Sequence, residues 1–295
     1  MAPMDLLDLH AGLLLLHLKI DKQCHRAAAR IATLPPVHPL YKLARKCIAQ
    51  VVKWHASPLH KLLNIYKIDP REAECIRPAL CNPALTHKRP LMIHIPVDKE
   101  VSILEDKQAL EKVKIYSDGS AHNGEVGAAA ILMRDGEQMQ KLHYHLSTST
   151  QHMVHEAELI IILLGLHLIK TDKNQRTTYV IGVDNQATLS TLNGVIATSG
   201  QYITDKILDM VAQLKKSRNS PRYALKLRWT AGHSGIEGNE EVDEEAKKAV
   251  EGTTSSTKNL PPLLRKQVKI NKSTMKQHKK AKLKMRWQCE WMISL

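Results

Sequence analysis

Residues 113–118 read Val-Lys-Ile-Tyr-Ser-Asp, and Gly119 and Ser120 follow directly. Apolar and polar residues alternate across this stretch, and β-branched and aromatic residues predominate, which predicts a strand. Because two turn-forming residues come next, we expect the strand to end at Asp118. Folds of the α/β class commonly place their chemistry at the carboxyl ends of strands. Alone, the pattern favours an ordinary strand and Asp-Gly turn, so its meaning depends on whether other acids can reach Asp118.

The charge of the 295-residue chain is unevenly distributed. The formal net charge of +14 indicates an anionic partner. Residues 111–251 are slightly acidic, whereas residues 252–295 carry eleven Lys or Arg and one acid. We expect residues 258–286 to make non-specific, salt-dependent contacts with nucleic-acid phosphates. The alternatives are a solvated, partly helical tail whose Trp287 and Trp291 pack on the protein, and a calmodulin-target or membrane-surface helix.

The cysteines, histidines and N-terminal residues exclude several protein classes. Five cysteines without Cys-x-x-Cys spacing argue against a disulfide framework, and the sixteen histidines show no zinc-finger spacing. Asp5 and Asp8 precede the first apolar run, which is untypical of a signal peptide, and Leu13–Leu16 is too short to span a bilayer. We therefore expect a soluble, intracellular protein without a membrane partner, in the nucleus or the cytoplasm.

The chain is predicted to have four parts. Residues 1–68 carry apolar positions at helical spacing and form a helical N-terminal segment. Recurrent prolines across residues 69–110 indicate a linker. Residues 111–251 alternate strand and helix patterns, and residues 252–295 form the basic tail, which we expect to be partly helical and to begin with a flexible stretch at residues 252–257.

The alternating region predicts an α/β fold. Three strands at about residues 113–118, 126–133 and 138–146 form an antiparallel meander, with a hairpin turn at residues 134–136. Six more elements follow. They are a long apolar helix at about residues 154–169, a strand at 178–184 that ends on Asp184, a short helix from 186, a helix at 201–216, a strand at 223–229 and a final helix at 239–250.

Four acids stand out by their positions. Asp118 and Asp184 each end a predicted strand. Glu158 interrupts the apolar helix, where an unpaired carboxylate is costly. Asp243 lies in the final helix, ten residues after His233. Crowded carboxylates need a cation, and oxygen ligands suit Mg²⁺ or Mn²⁺.

Each of these residues also has a simpler interpretation. Glu158 would be a surface acid if the orientation of its helix is misjudged. Asp243 is surrounded by other acids and fits a solvated position. His233 fits a plain loop histidine.

Four sequence blocks occur in one order along the chain. They are Asp118-Gly119-Ser120, Glu156-Ala157-Glu158-Leu159, Val183-Asp184-Asn185-Gln186-Ala187 and the stretch from Trp229 through Gly232-His233-Ser234-Gly235 to Asp243. Together they resemble the type 1 ribonuclease H domain over about residues 111–250. More narrowly, they resemble the one at the C-terminal end of fungal LINE-like (non-LTR) retrotransposon reverse transcriptases.

The resemblance implies a fold, a reaction and roles for individual residues. The fold would be a five-stranded mixed sheet, a three-stranded antiparallel meander plus two parallel strands, flanked by helices. The reaction would be two-metal hydrolysis of the RNA strand of RNA–DNA hybrids, with two Mg²⁺ ions that Mn²⁺ can replace. The implied residues are the metal ligands Asp118, Glu158, Asp184 and Asp243, the catalytic His233, and the substrate contacts Ser120, Asn185 and Gln186. Met153 stands where relatives usually have Thr, which would affect a substrate contact rather than the metals.

Two other functions remain open at this point. The first is a catalytically inactive, nucleic-acid-binding remnant of a retroelement polyprotein. The second is another nuclease of the same broad fold, such as an integrase or resolvase, which the block ending at Asp243 argues against. The chain has no Tyr-x-Asp-Asp polymerase motif, so a reverse transcriptase region would belong to the parent polyprotein. The chain would then be a retrotransposon-derived fragment.

Overall fold

The computed structural model describes residues 11–49, 56–76, 91–109, 111–149, 151–173, 178–193, 199–217, 224–232 and 235–294. The chain divides into two compact units: Met1–Arg77 together with Lys269–Leu295, and Pro78–Val268. The boundaries predicted at residues 68, 110 and 251 stay predictions. The predicted basic tail is shared between the two units.

The described secondary structure consists of helices α1–α9, strands β1–β6 and two 3₁₀ turns. In chain order these elements are α1 Leu16–Ala32, α2 Leu40–Ala49, α3 Pro58–Tyr66, β1 Met92–His94, α4 Lys99–Lys107, β2 Val113–His122, β3 Glu125–Arg134, β4 Glu137–Thr148, α5 Val154–Thr171, β5 Thr178–Val183, α6 Gln186–Asn193, α7 Gln201–Ser217, β6 Ala224–Trp229, α8 Glu237–Val250, the 3₁₀ turns Thr257–Asn259 and Pro262–Arg265, and α9 Lys272–Ser294.

The larger unit is built on a mixed sheet with the strand order β1-β6-β5-β2-β3-β4. Strands β2, β3 and β4 form the antiparallel meander, and β5 pairs parallel with both β2 and β6. The prediction of five strands was wrong by one, because β1 pairs parallel with β6 at the edge. A three-residue strand is too short to leave a periodic pattern, and it lies in the stretch predicted to be a linker, as does α4.

Strand β2 does not end at Asp118 as predicted. It continues to His122 because β3 pairs with it along that whole length. The hairpin turns at Asn123 and Gly124, which have φ values of 49° and 83°, a conformation that matches the twist of a tight hairpin. The parallel partner β5 ends earlier, at Val183 opposite Ser117. Asp118 therefore lies at the point where the parallel pairing stops.

Helices cover both faces of the sheet. Helix α5 is buried along most of its length, as its apolar sequence predicts, and it packs with α7 against one face. Helix α8 packs against β2 and β3 on the other face. Gly238 makes this approach possible, since a Cβ there would come within 2.2 Å of the Tyr116 ring. The two layers hold α5 and α8 on opposite sides of β2.

Residues 252–268 are part of the larger unit. Ser255 exchanges two hydrogen bonds with the backbone of His143 on β4, at 2.9 and 3.0 Å. Leu260, Leu264 and Val268 are buried in the main core. The interpretation of residues 252–257 as a flexible linker is therefore wrong. Their Gly, Ser and Thr residues resemble those of a linker, but the hydroxyls of Thr254 and Ser255 accept hydrogen bonds from the backbone of β4.

The smaller unit packs α9 against the N-terminal helices. Small residues of α1, among them Ala28 and Ala29, form a core with Ala44 and Leu63 from α2 and α3. Asp21 on α1 pairs with Lys279 and Arg286 on α9, at 2.7 and 3.2 Å. Across the part of the chain that the structure describes, no helix combines the length and apolar character needed to span a membrane.

Candidate active site

Two of the predicted site acids lie on neighbouring parallel strands. Ser117 is opposite Val183 in the parallel pairing. The next residue on each strand, Asp118 and Asp184, therefore lies at the same level of the sheet. The Ser117 hydroxyl donates a 2.8 Å hydrogen bond to the Gly182 carbonyl and helps to hold the two strands in register. Strands β2 and β5 therefore bring these two carboxylates to one end of the parallel pairing.

Glu158 approaches the two aspartates from the first turns of α5. Gly119 allows this approach, since a Cβ there would lie 3.1 Å from the Ala157 Cβ and 3.3 Å from the Glu158 nitrogen. Glu158 is 5% exposed, and its Oε2 is buried without a hydrogen bond. Burial, with the negative charges of Asp184 and Asp118, raises the pKa of Glu158 to about 8. The three acids thus interact strongly enough to disfavour a full set of negative charges.

Asp243, the fourth predicted acid, lies on α8 and has a cationic partner. Lys247, one turn further along the helix, donates a 2.8 Å hydrogen bond to Asp243 Oδ2. The pKa of Lys247 is raised by this hydrogen bond and by the charges of Asp243 and, more weakly, Glu244 and Asp118. Lys247 therefore links Asp243 electrostatically to Asp118. The sequence interpretation missed it, although its i,i+4 spacing from Asp243 was visible.

The segment after β6 lies beside Asp184. The Trp229 indole donates a 2.8 Å hydrogen bond to the Asp184 carbonyl, and the Thr230 nitrogen donates to the Val183 carbonyl. A Cβ on Gly232 would lie 3.4 Å from Asp184 Oδ2. His233, the predicted catalytic histidine, lies outside the described residues, directly after this glycine.

The three predicted substrate contacts differ in their surroundings. Asn185 directly precedes α6 and caps it, since its Oδ1 accepts a hydrogen bond from the Thr188 nitrogen; its side chain also hydrogen-bonds Glu158. These contacts position α6 and Glu158. Gln186 is exposed and Ser120 is half-buried. Their roles as substrate contacts stay predictions.

Met153 occupies the N-cap of α5 and makes no side-chain capping hydrogen bond. Glu156 compensates in part, because its Oε2 accepts a 3.1 Å hydrogen bond from the Met153 nitrogen. The threonine that the resemblance leads us to expect would also cap the helix, because its hydroxyl can accept a hydrogen bond from a backbone nitrogen of the first turn. The departure at this position therefore affects the start of the helix that carries Glu158.

The chemistry of the acid group suits a hard cation. Within the described ranges, no three His, Cys, Asp or Glu side chains stand in an arrangement that could hold a metal ion. The four acids nevertheless offer only oxygen ligands, which Mg²⁺ and Mn²⁺ prefer. The buried, unbonded Oε2 of Glu158 is the clearest sign of a missing partner. Burial and repulsion by Asp184 and Asp118 raise the pKa of this carboxyl, and a divalent cation would offset the repulsion.

The family model for RNase H matches residues 110–251. These residues form an RNase H domain. The match covers the whole sheet from β2 onward, all four acids and α8. The predictions of an RNase H-like fold and of a ribonuclease H enzyme are thereby confirmed.

Solved structures similar to this RNase H domain include three ribonucleases H. They are RNase H1 of the archaeon Halobacterium salinarum (16% identity, TM-score 0.34), the N-terminal RNase H domain of a Mycobacterium tuberculosis protein (17%, 0.36) and LC11-RNase H1 in complex with an RNA/DNA hybrid (17%, 0.37), the last originally isolated from compost by a metagenomic approach. Each match covers 48% of this chain and 95–98% of the other. No curated protein matches the chain significantly.

Proposed function

We propose that this chain is an endoribonuclease that hydrolyses the RNA strand of RNA–DNA hybrids. The observation that carries the proposal is the electrostatic coupling of Glu158 to Asp118 and Asp184 within an RNase H domain. A buried carboxylate that repels two others is a cost for stability, and such costs are typical of active sites. The LC11 relative, whose structure holds an RNA/DNA hybrid, is consistent with this substrate.

Asp118, Glu158, Asp184 and Asp243 are the residues proposed to hold two Mg²⁺ ions, with Mn²⁺ as a substitute. When bound, such ions activate a water molecule and stabilise the leaving oxygen of the phosphodiester. The sheet holds Asp118 and Asp184 in register, and α5 and α8 supply the other two carboxylates. Asn185 orients Glu158 through its hydrogen bond. His233 is proposed to assist proton transfer or product release, and Ser120 and Gln186 to contact the hybrid.

The decisive experiment is a cleavage assay on a labelled RNA–DNA hybrid with Mg²⁺. We expect the wild-type chain to cut only the RNA strand. Asp184→Asn keeps the side-chain size and removes a charge, so it should lower the rate by about 100-fold or more, given that changes beyond the direct metal ligands already cost about 10–100-fold. Asp209→Asn on the exposed face of α7 is the matched control and should leave the rate unchanged.

The assay also separates the competing functions. A wild-type chain that binds the hybrid without cutting it would overturn the enzyme proposal in favour of an inactive remnant. Cutting of duplex DNA or of branched junctions would point to an integrase-like or resolvase-like nuclease instead. The order and spacing of the four sequence blocks also support an origin in a LINE-like retrotransposon, which we propose as the source of this chain.

A further inference from the structure

The smaller unit carries two facing rows of cations that the RNase H domain does not explain. On α1 they are Lys22, Arg26 and Arg30, and on α9 they are Lys272, Lys276 and Lys280. Each row repeats every four residues, so its members lie on one side of their helix. At a rise of about 1.5 Å per residue, each row extends for about 12 Å.

The two rows lie opposite each other because α1 and α9 run antiparallel. Two ion pairs between the helices show this direction. Asp21 pairs with Lys279, whereas His17, which comes earlier on α1, pairs with Glu290, which comes later on α9. Lys22, Arg26, Lys276 and Lys280 together line one groove of about 200 Å³. The rows therefore form a single surface, which we call the α1–α9 basic groove.

The six row cations of the α1–α9 basic groove form no ion pairs with the carboxylates that the structure describes, although Glu74 Oε1 accepts a 2.8 Å hydrogen bond from the backbone nitrogen of Lys272. The acid of α1, Asp21, is already paired with Lys279 and Arg286, and Glu290 is paired with His17. Burial and the charges of Lys272, Arg26 and Arg30 lower the pKa of Lys276. The folded unit thus holds these cations together against their mutual repulsion.

We propose that the α1–α9 basic groove binds the phosphate backbone of a nucleic-acid duplex without reading its sequence. An anionic polymer supplies the charge that the folded unit lacks, and closely spaced Lys and Arg side chains are the usual means of phosphate contact. A row of about 12 Å spans about three to four base pairs at about 3.4 Å each. The proposal places residues from both ends of the chain in one binding surface, whereas the tail alone was predicted from the sequence.

Binding is best measured without metal, so that the result does not depend on cleavage. The full chain in EDTA is titrated against a fluorescent 20-base-pair RNA–DNA hybrid at several salt concentrations. The test variant is Arg26→Gln/Arg30→Gln/Lys276→Gln. The matched control is Lys42→Gln/Lys46→Gln/Lys61→Gln, which removes three exposed cations from α2 and α3.

We expect the test variant to weaken hybrid binding by about tenfold or more near 0.1 M salt, and to reduce the slope of log K against log salt by about 2–3. The control should change both by much less. Thermal unfolding should stay the same or move upward in the test variant, because repulsion is removed, and this separates lost binding from lost folding. Equal losses in both variants would overturn the proposal, since total charge alone would then explain them.

A membrane surface is the competing partner, and vesicles with phosphatidylserine test it. If the test variant lost vesicle binding and kept hybrid binding, the nucleic-acid assignment would be wrong. The proposed enzyme function can fail independently: a chain that binds through the groove but cuts nothing would refute the ribonuclease proposal and leave this one standing.

Discussion

Lys247 Nζ lies 2.8 Å from Asp243 Oδ2, so a cation already occupies the side of the candidate site that α8 supplies. The Lys247 side chain is 62% exposed and that of Asp243 is 19% exposed. A metal ion bound at Asp243, as we propose, would compete with this lysine for the carboxylate. The ion pair would then lower the affinity of the proposed site for divalent cations.

Replacing Lys247 with Met should strengthen metal binding. Because exposed ion pairs of this type are weak, we expect the dissociation constant for Mn²⁺ to fall by only about twofold. The measurement is the rise in melting temperature with Mn²⁺ concentration, which reports binding without relying on activity. Lys248→Met is the control, since Lys248 pairs with Glu245 at 2.6 Å and not with Asp243. Weaker binding in the Lys247 variant would contradict the competition described above.

Glu158→Gln should stabilise the metal-free protein and abolish its response to metal. The substitution keeps the shape and removes a buried carboxyl that repels Asp118 and Asp184, so a gain of about 1–3 kcal/mol at pH 8 is expected. Urea unfolding in EDTA measures this gain. Added Mn²⁺ should stabilise the wild type and not the variant. A variant that is less stable in EDTA would mean that the hydrogen bond between Asn185 and the Glu158 carboxyl outweighs the repulsion.

Met153→Thr should stabilise the protein by about 1 kcal/mol. A threonine hydroxyl at this N-cap can share the Glu156 nitrogen, which now donates a 2.9 Å hydrogen bond to the Met153 carbonyl, and so complement the hydrogen bond that the Glu156 side chain already accepts. Differential scanning calorimetry gives the change. Met139→Thr, at an exposed position of β4, applies the same substitution without a helix end and should have little effect. If the Met153→Thr variant were no more stable than the wild type, the backbone at this position would not orient the threonine hydroxyl toward the Glu156 nitrogen.

The smaller unit should lose stability in mild acid because of His25. Burial, with the nearby charge of Lys279, lowers the pKa of His25 to about 4, and its Nδ1 has no hydrogen-bond partner. A histidine with a folded-state pKa below its unfolded value of about 6.5 destabilises as pH falls, since the unfolded chain binds the proton more readily. The contribution is complete above about pH 6.5 and is lost between there and about pH 4, with a total of about 1–3 kcal/mol.

His25→Phe should remove this pH dependence while keeping a ring against Tyr66, which the imidazole meets edge-on at 5.2 Å. Urea unfolding of the helical signal at pH 7.5 and pH 4.5 measures the difference. His122→Phe, at the exposed end of β2, serves as the control and should keep the wild-type dependence. An unchanged pH dependence in the His25 variant would assign the acid sensitivity to other groups.

Long elements with a clear period were predictable from the sequence, and short or paired elements were not. Helix α5 was recognised from its continuous apolar run, and the turn at Asp135 and Gly136 has the positive φ values that its residues favour. Strand β1 was missed because three residues carry no period. The end of β2 was misplaced because an Asp-Gly-Ser turn signal is local, whereas β3 offers pairing for four more residues.

The residues of the candidate site were likewise only partly predictable from the sequence. The acids were selected by their types and by the motif order, which are properties of the sequence. The spacing of Lys247 from Asp243 was visible in the sequence, but the contacts of Lys247 and Asn185 were established by the structure, because a helix turn and a strand end must be in place before those side chains have partners.

The sequence by itself determined the α/β class, the RNase H domain and the set of acids, because periodicity and motif order are written in the residues. Only the tertiary structure decided which charges face one another. Burial raises the pKa of Glu158, and two aspartates that lie 40 and 26 residues away along the chain raise it further. The basic rows of α1 and α9, which are far apart in sequence, line one groove. Electrostatic energy depends on distance in space and on burial, and neither quantity exists until the chain has folded.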